Sequence, residues 1–306
     1  MKLRYKIRYP FEYFFIFLCL TLTGFLPYPI SKFIASFIGI VLYYTVGNLR
    51  RTISTNLQIA FPSWSDKRIK HCTKKNLKHT ILTAFEFSYF MQHKEEFLQR
   101  LTVDDNLLEA LSTEENKGFI ATTPHLGNWE LGSLALTLNG IKTAVVAKKI
   151  RNIRLDKLIK NLRLKSAEDV IYGKGAVRNI LKALKRKTCI AMLIDQTIKV
   201  RKGGVFINFF GLPCPTTESA ASIALKTSSD IIVVALIREE NQFRFIGKKL
   251  QIKTDSPRDL TQEIVHEYEN LIKKYPEQWM WSYKRWQYIP KDYKGKKEYP
   301  FYAKRR

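Results

Sequence analysis

Gly118-Phe119-Ile120-Ala121-Thr122-Thr123-Pro124-His125-Leu126-Gly127-Asn128-Trp129-Glu130-Leu131-Gly132 is the stretch on which the reading of the fold turns. Its opening half, Gly118 to Thr123, reads as a buried strand. Pro124 stops that run, and Gly127-Asn128 marks a turn. Asn128 suits a helix N-cap, because its side chain can accept from an unpaired amide of the first turn. A helix then runs from Asn128 to Leu138, with Asn139-Gly140 as its stop signal. The stretch is therefore a strand, a sharp turn and a helix, with His125 on the turn and Glu130 in the helix's first turn.

The same alternation continues downstream. Thr143 to Ala147 reads as a strand, Leu155 to Lys165 as a helix, and Val170-Ile171-Tyr172 as a short strand. Val177 to Leu184 is helical by pattern, and Cys189 to Ile194 is a continuous apolar strand. Glu218 to Lys226 is a helix and Ile231 to Ile237 an apolar strand, with Phe243 to Ile252 placed to pair beside it as a hairpin. Pro257 to Tyr275 closes the series as a helix with Pro257 near its first turn. Strands alternating with helices predict an α/β protein with a largely parallel central sheet flanked by helices. Ligands of such sheets collect at the carboxyl ends of strands. His125 and Asp195 each follow an apolar strand, so both are expected to face one crevice.

His125 and Glu130 can do acid–base work if they meet. In one regular helix, five positions of separation would turn their side chains about 140° apart. With His125 on the turn instead, Glu130 is expected to reach back to one imidazole nitrogen and fix the tautomer, leaving the other to take a proton from an alcohol. A loop histidine beside a glutamate that merely suits a helix N-terminus accounts for the same spacing. No serine or cysteine sits at an obvious nucleophile elbow, so the nucleophile is expected to be a hydroxyl of the substrate. Arg163 suits a phosphate or carboxylate, and Asp195 suits binding or orienting a substrate; a surface arginine and a turn-starting aspartate are the plain readings. Phe209, Phe210, Trp279 and Trp281 read as core rather than as acyl-chain contacts.

Charge narrows the partners. Lys and Arg number 52 against 27 Asp and Glu, for a net charge of +25 over 306 residues. Such an excess favours polyanions: an anionic membrane, a phosphorylated lipid, an acidic protein or a nucleic acid. A basic, non-catalytic membrane or nucleic-acid adaptor is the rival to an enzyme, but no RNA- or DNA-binding motif stands behind it, and no nucleic-acid partner is expected. No Gly-rich dinucleotide or phosphate loop is present. The four cysteines, Cys19, Cys72, Cys189 and Cys214, show no metal or redox spacing. Neither a cofactor nor a metal is expected.

The N-terminus carries a basic head, Lys2, Arg4, Lys6 and Arg8, and then an uncharged run from Tyr13 to Ser31. A second uncharged run, Phe33 to Leu49, ends at Arg50-Arg51, and Pro27-Tyr28-Pro29 breaks the path between them. Three readings fit: a helical hairpin in the membrane, one inserted helix with its neighbour packed on the body or at the interface, or a cleaved signal peptide that lacks a clear cleavage site. Ser65 to Phe90 alternates Lys67, Arg68, Lys70, Lys74, Lys75 and Lys78 with Ile69, Leu77, Ile81, Leu82 and Phe85. That pattern suits a basic amphipathic helix on anionic headgroups, or an ordinary helix with a solvated lysine face. The basic tail from Lys291 to Arg306 reads as solvated or lipid-touching.

Pro124-His125-Leu126-Gly127-Asn128-Trp129-Glu130 resembles the catalytic block of the bacterial lipid A biosynthesis (lauroyl/myristoyl) acyltransferases, of the lysophospholipid acyltransferase-like superfamily. Further blocks follow in the family's order. They are Ala60-Phe61-Pro62; Asn152, Asp156 and Arg163 in an Asn-x3-Asp-x6-Arg spacing; Asp195-Gln196 with Val205-Phe206 and Phe209-Phe210-Gly211; and Pro276-Glu277-Gln278-Trp279-Met280-Trp281 with Arg285-Trp286. The resemblance covers most of the chain. It implies a glycerolipid-acyltransferase-like fold, with residues 1–50 as an N-terminal apolar membrane anchor and 51–306 as the acyltransferase domain. It implies transfer of a fatty acyl chain from acyl carrier protein, or a coenzyme A thioester, to a hydroxyl of an anionic glycolipid acceptor. The place would be the bacterial inner membrane, with the catalytic domain facing the cytoplasm. His125 would be the general base and Glu130 its partner, with Asn128, Lys148, Asn152, Arg163 and Asp195 binding substrate. Lys148 stands where many members have Arg, which weakens a bidentate phosphate contact there. The Asp and the Glu-Gly-Thr-Arg block of the related glycerolipid acyltransferases are absent. Acylation of another glycolipid from acyl-CoA is the alternative within enzymes.

Overall fold

The computed structural model describes residues 3–112, 117–173 and 175–305. Lys2 of the basic head, the side chains of Arg4 and Lys6, and Arg306 of the tail lie outside that description. The chain begins with helices α1 (Leu3–Phe25), α2 (Tyr28–Thr45), α3 (Gly47–Ala60), α4 (Asp66–Phe90) and α5 (Lys94–Arg100), followed by strand β1 (Leu101–Val103) and α6 (Asp105–Ser112). The alternating part is β2 (Ile120–Thr123), α7 (Gly132–Leu138), β3 (Thr143–Ala147), α8 (Ile153–Arg163), β4 (Asp169–Tyr172), α9 (Ala176–Lys185) and β5 (Cys189–Leu193). A separate hairpin, β6 (Gly204–Phe209) and β7 (Leu212–Thr217), precedes α10 (Ser219–Thr227), β8 (Ile231–Glu239), β9 (Gln242–Lys249) and α11 (Pro257–Lys274).

Seven strands form one sheet in the order β1-β9-β8-β2-β5-β3-β4. The five from β8 to β4 are mutually parallel, with Ile120 opposite both Ile190 and Ile231. β9 turns back antiparallel to β8, as its hairpin position leads one to expect, and β1 pairs parallel to β9 at the edge. Alternate side chains feed two cores. Ile120, Ile190, Val233 and Ala235 face α9, α10 and α11 on one side. Ala121, Cys189, Val234 and Phe245 face α2, α4, α6 and α7 on the other. The sheet is thus buried on both faces, which is why its strands read as unbroken apolar runs.

Among the N-terminal helices, α2 is integral to the second layer, while α3 packs in the first through Ile53, Leu57 and Ile59. α2 lays Tyr28, Ser31, Ala35, Gly39 and Tyr43 on one buried stripe, and a Cβ at Gly39 would come within 2.8 Å of the Lys78 backbone nitrogen on α4. No single helix among the described residues is long and apolar enough to cross a membrane; α2 and α3 together are, but meet at 95°. α4 starts where the pattern places it, capped by Ser65, and keeps Lys67, Arg68, Lys70, Lys74 and Lys75 exposed. Its other side is deeply buried, so it is a core helix with a lysine face. The tail keeps Lys291, Lys294, Lys296, Lys304 and Arg305 exposed, but it is tied to the body at several points. Lys297 Nζ donates to the Phe210 carbonyl, Tyr299 to the Pro213 carbonyl and Tyr302 to Asn56, while Arg51 stacks over Phe301. Aromatic residues spaced among its lysines give the tail enough surface to bind the hairpin and α3.

Candidate active site

β2 ends at the centre of the sheet, and the turn after it is fixed by close approach. Gly127 has φ +63°, and a Cβ there would lie 2.0 Å from the Leu236 carbonyl oxygen, so only glycine fits. The Gly127 N–H donates to Gln278 O at 3.1 Å and the Asn128 N–H to Leu236 O at 2.8 Å. Met280 N–H donates to His125 O at 3.0 Å, so the Pro276–Trp281 block clasps the histidine loop. Asn76 of α4 holds that block in turn, donating to Glu277 O at 2.9 Å and Trp279 O at 2.5 Å. Asn56 of α3 does the same for the Trp281 and Tyr283 carbonyls.

His125 meets a carboxylate, but not that of Glu130. Its Nδ1 lies 2.6 Å from Asp195 Oδ1, and its backbone N–H donates to Asp195 Oδ2 at 2.8 Å. Trp279 Nε1–H donates to the same Oδ2 at 2.8 Å. Asp195, carried just past β5, is buried. Burial by itself would raise its pKa, but the His125 ring, both His125 hydrogen bonds and the Trp279 indole together hold it below the ordinary carboxylate value. An ionised carboxylate can only accept, so Nδ1 carries a ring proton, and in the neutral ring Nε2 then keeps its lone pair. The Gln196 side-chain nitrogen lies 3.1 Å from that Nε2.

Glu130 departs from its expected contact with the imidazole for a local reason. The helix opens with a 3-10 turn, Trp129–Leu131, capped by the Asn128 side chain. Trp129 takes the place against the histidine ring, with centroids 5.1 Å apart. Glu130 instead accepts two bonds from Arg163 at the end of α8, Nε to Oε2 at 3.0 Å and Nη2 to Oε1 at 2.7 Å. This bidentate geometry fixes both side chains.

His125, Glu130, Arg163, Lys148 and Gln196 all line one cavity of about 260 Å3. Ala121, Val145, Ala191, Val234, Phe245 and Leu136 form its apolar interior between the sheet and α7. Polar groups at the rim and an apolar interior suit an amphipathic substrate. The other expected substrate-binding residues sit elsewhere. Asn128 is fully buried and donates to Glu86 at 2.8 Å. Asn152 caps α8 and donates to the Tyr9 carbonyl of α1 at 2.9 Å. Asp195 touches the cavity only through His125. Phe209, Phe210, Trp279 and Trp281 are core residues, as their composition suggests. No group of His, Cys, Asp or Glu that could hold a metal occurs among the described residues.

A second polar centre escapes a reading of the sequence. Glu86 of α4 is fully buried and forms an ion pair with Arg238 of β8; Glu86 also accepts from Tyr28 of α2 at 2.7 Å and from Asn128. Arg238 Nη1 lies 2.7 Å from His79 Nδ1. Burial first, then the Arg238 charge and the Lys78 and Lys75 charges, push His79 down to about 3, so it stays neutral and accepts. The signal was a lone glutamate among Phe85 and Phe87, since a buried charge demands a partner.

The sequence model described as "Bacterial lipid A biosynthesis acyltransferase" matches residues 1–288. A Haemophilus influenzae protein named lipid A biosynthesis acyltransferase is 25% identical over 240 residues, covering 77% of this chain and 74% of that protein. The Escherichia coli lipid A biosynthesis palmitoleoyltransferase is 22% identical over 275 residues, covering 87% of each. With that match across the fold and the histidine loop, the chain belongs to the bacterial lipid A biosynthesis acyltransferase family and has acyltransferase activity.

Proposed function

We propose that the chain moves a fatty acyl chain from an acyl thioester, acyl-acyl carrier protein, to a hydroxyl of a lipid A precursor, working at the cytoplasmic face of the bacterial inner membrane. The observation that carries this reading is the Asp195–His125 pair opening onto a cavity with a charged rim and an apolar interior. Asp195 holds the proton on Nδ1 and stabilises the imidazolium once it forms. Nε2 takes the proton from the acceptor hydroxyl as its oxygen attacks the thioester carbonyl. The tetrahedral intermediate then expels the thiolate, which recovers the proton from His125. The acyl chain lies along Ala121, Ala191 and Val234. Lys148 and Arg163 face the anionic acceptor, with Glu130 locking Arg163 in place.

Residues 1–50 supply the membrane-seeking surface in this reading. Opposite the stripe that packs on α4, α2 exposes Phe33, Phe37, Ile40, Val41 and Tyr44, and α1 exposes Phe11, Phe14, Phe15 and Leu22. Lys74 flanks the surface, donating to Tyr44 at 3.1 Å. An apolar face edged with lysines suits an anionic leaflet. The Asn152 side chain ties the start of α8 to α1 through its bond to the Tyr9 carbonyl.

The test is a purified assay with acyl-acyl carrier protein and a lipid A precursor. The wild-type protein should add one acyl group by mass. His125→Ala should lower the rate by roughly 10^2- to 10^4-fold, without release from membranes. Turnover like the wild type's from that variant refutes the mechanism.

A further inference from the structure

The base of the site is already occupied. With the ring proton on Nδ1, the lone pair of His125 Nε2 accepts from the Gln196 amide at 3.1 Å. Gln196 is no loose surface side chain. It follows Asp195, which is pinned by three donors, and precedes Thr197, whose N–H donates to the Tyr283 hydroxyl at 2.9 Å and whose Oγ1 donates to the Arg285 carbonyl at 2.8 Å. The backbone on both sides is therefore held, and the amide lines the cavity wall. An acceptor hydroxyl that gives its proton to Nε2 must take the place of this amide.

We propose that Gln196 is a positioning residue that caps the His125 base until an acceptor hydroxyl displaces it, protecting the bound acyl thioester from water. The proposal rests on the acyl-thioester reading above. A water molecule reaching Nε2 would give up a proton to it and attack the thioester carbonyl. The C–S bond would break, the thiolate would take the proton back, and a free fatty acid would leave. A hydroxyl held at the rim by its own phosphate or sugar contacts arrives with binding energy to spend on displacement; water does not. After the proton moves, rotation of the same amide presents its oxygen to the Nε2–H, so the side chain serves both charge states of the ring.

The experiment compares wild-type protein with Gln196→Ala and Gln196→Met, the latter keeping length and packing without the donor. Hydrolysis of acyl-acyl carrier protein without acceptor is measured against transfer with it. Both variants should raise the ratio of hydrolysis to transfer about fivefold or more, the factor a single neutral hydrogen bond is worth. The KM for the acceptor should fall, because displacement no longer opposes binding. A ratio unchanged from the wild type, or hydrolysis and transfer falling together, overturns the proposal. So does Gln196→Met matching the wild type, which would make packing the reason for the residue. Nitrogen NMR of the His125 ring is the arm independent of turnover: the Nε2 resonance should move toward that of an unbonded imidazole nitrogen in both variants, and no movement refutes the cap. If the wild-type protein neither hydrolyses nor transfers from this donor, the donor assignment fails, while the NMR arm still decides the role of Gln196.

Discussion

Replacing Asp195 by Asn tests the heart of the site, because three donors converge on one carboxylate. The ring Nδ1–H sits 2.6 Å from Oδ1, and the His125 N–H and Trp279 indole N–H each sit 2.8 Å from Oδ2. An amide keeps one acceptor. It satisfies more donors by turning its oxygen to the backbone and indole, which aims its NH2 at Nδ1. That contact is favourable only if Nδ1 is bare, so the ring proton moves to Nε2, where it blocks the base. The kcat for transfer should therefore fall roughly 10^3- to 10^4-fold. Stability should fall by about 2 kcal/mol, as charge-assisted bonds become neutral ones. The sign with pH follows from the depressed Asp195 pKa. A lowered folded value means the carboxylate's contribution is complete above its usual 3.8 and is lost as pH drops through the folded value. The stability gap between wild type and variant should be full at neutral pH and close below about pH 4. Stopped-flow transfer kinetics, thermal melts in detergent and nitrogen NMR of the ring read the three effects. A folded Asp195→Asn protein retaining more than a tenth of the wild-type kcat, or keeping its proton on Nδ1, refutes the argument. If Glu130 were the ring's partner, Glu130→Gln rather than Asp195→Asn would move that proton.

Three more outcomes follow from the layers around the site. Glu86→Gln leaves Arg238 buried without its counter-charge and should cost about 3–5 kcal/mol in denaturant unfolding; a loss under 1 kcal/mol would mean the pair is solvated. Asn128→Ala removes a helix cap and a bond to Glu86, so it should lower stability by about 1–2 kcal/mol while leaving the acceptor KM near that of the wild type; a KM effect without a stability effect would return Asn128 to the substrate. Phe33→Glu with Phe37→Glu removes two rings that are 73% and 61% exposed. At about 1.5–3 kcal/mol for each ring buried in lipid, binding to anionic phospholipid vesicles should weaken roughly 100-fold or more, and unchanged co-sedimentation would sink the docking role of α2.

The sheet was legible in the sequence because its strands are buried on both faces. Thr143–Ala147 matches β3 end for end, and the helices at Pro257 and Ser65 begin at their own stop and start signals. The β6–β7 hairpin was not read, because Pro213 and Pro215 sit in β7 and proline argues against a strand. Both are tolerated because the hairpin is a separate two-stranded ribbon, where β7 has no second strand that needs N–H groups at those positions; their carbonyls accept from Tyr299 and from the Ile198 N–H.

His125, Glu130, Lys148 and Arg163 were singled out in the sequence and line one cavity, whereas Asn128 and Asn152 do not and the carboxylate that pairs with His125 was not legible, for a geometric reason. Spacing along the chain reports neighbours within one helix or one strand; it is silent about residues delivered by different strands of a parallel sheet. His125 and Asp195 are 70 positions apart, yet β2 and β5 are adjacent, with Thr123 opposite Leu193. Two parallel neighbours in register must release their next residues at the same edge, so the loops after them meet whatever lies between. The expectation that both residues face one crevice rested on a coarser rule, that ligands gather at the carboxyl ends of strands, which does not say which strands are neighbours. Glu130, just past the Asn128 cap, is instead held by Arg163 at the end of α8. In an α/β enzyme of this kind, a carboxylate near a histidine in sequence is weaker evidence of pairing than one at the matching end of the neighbouring parallel strand.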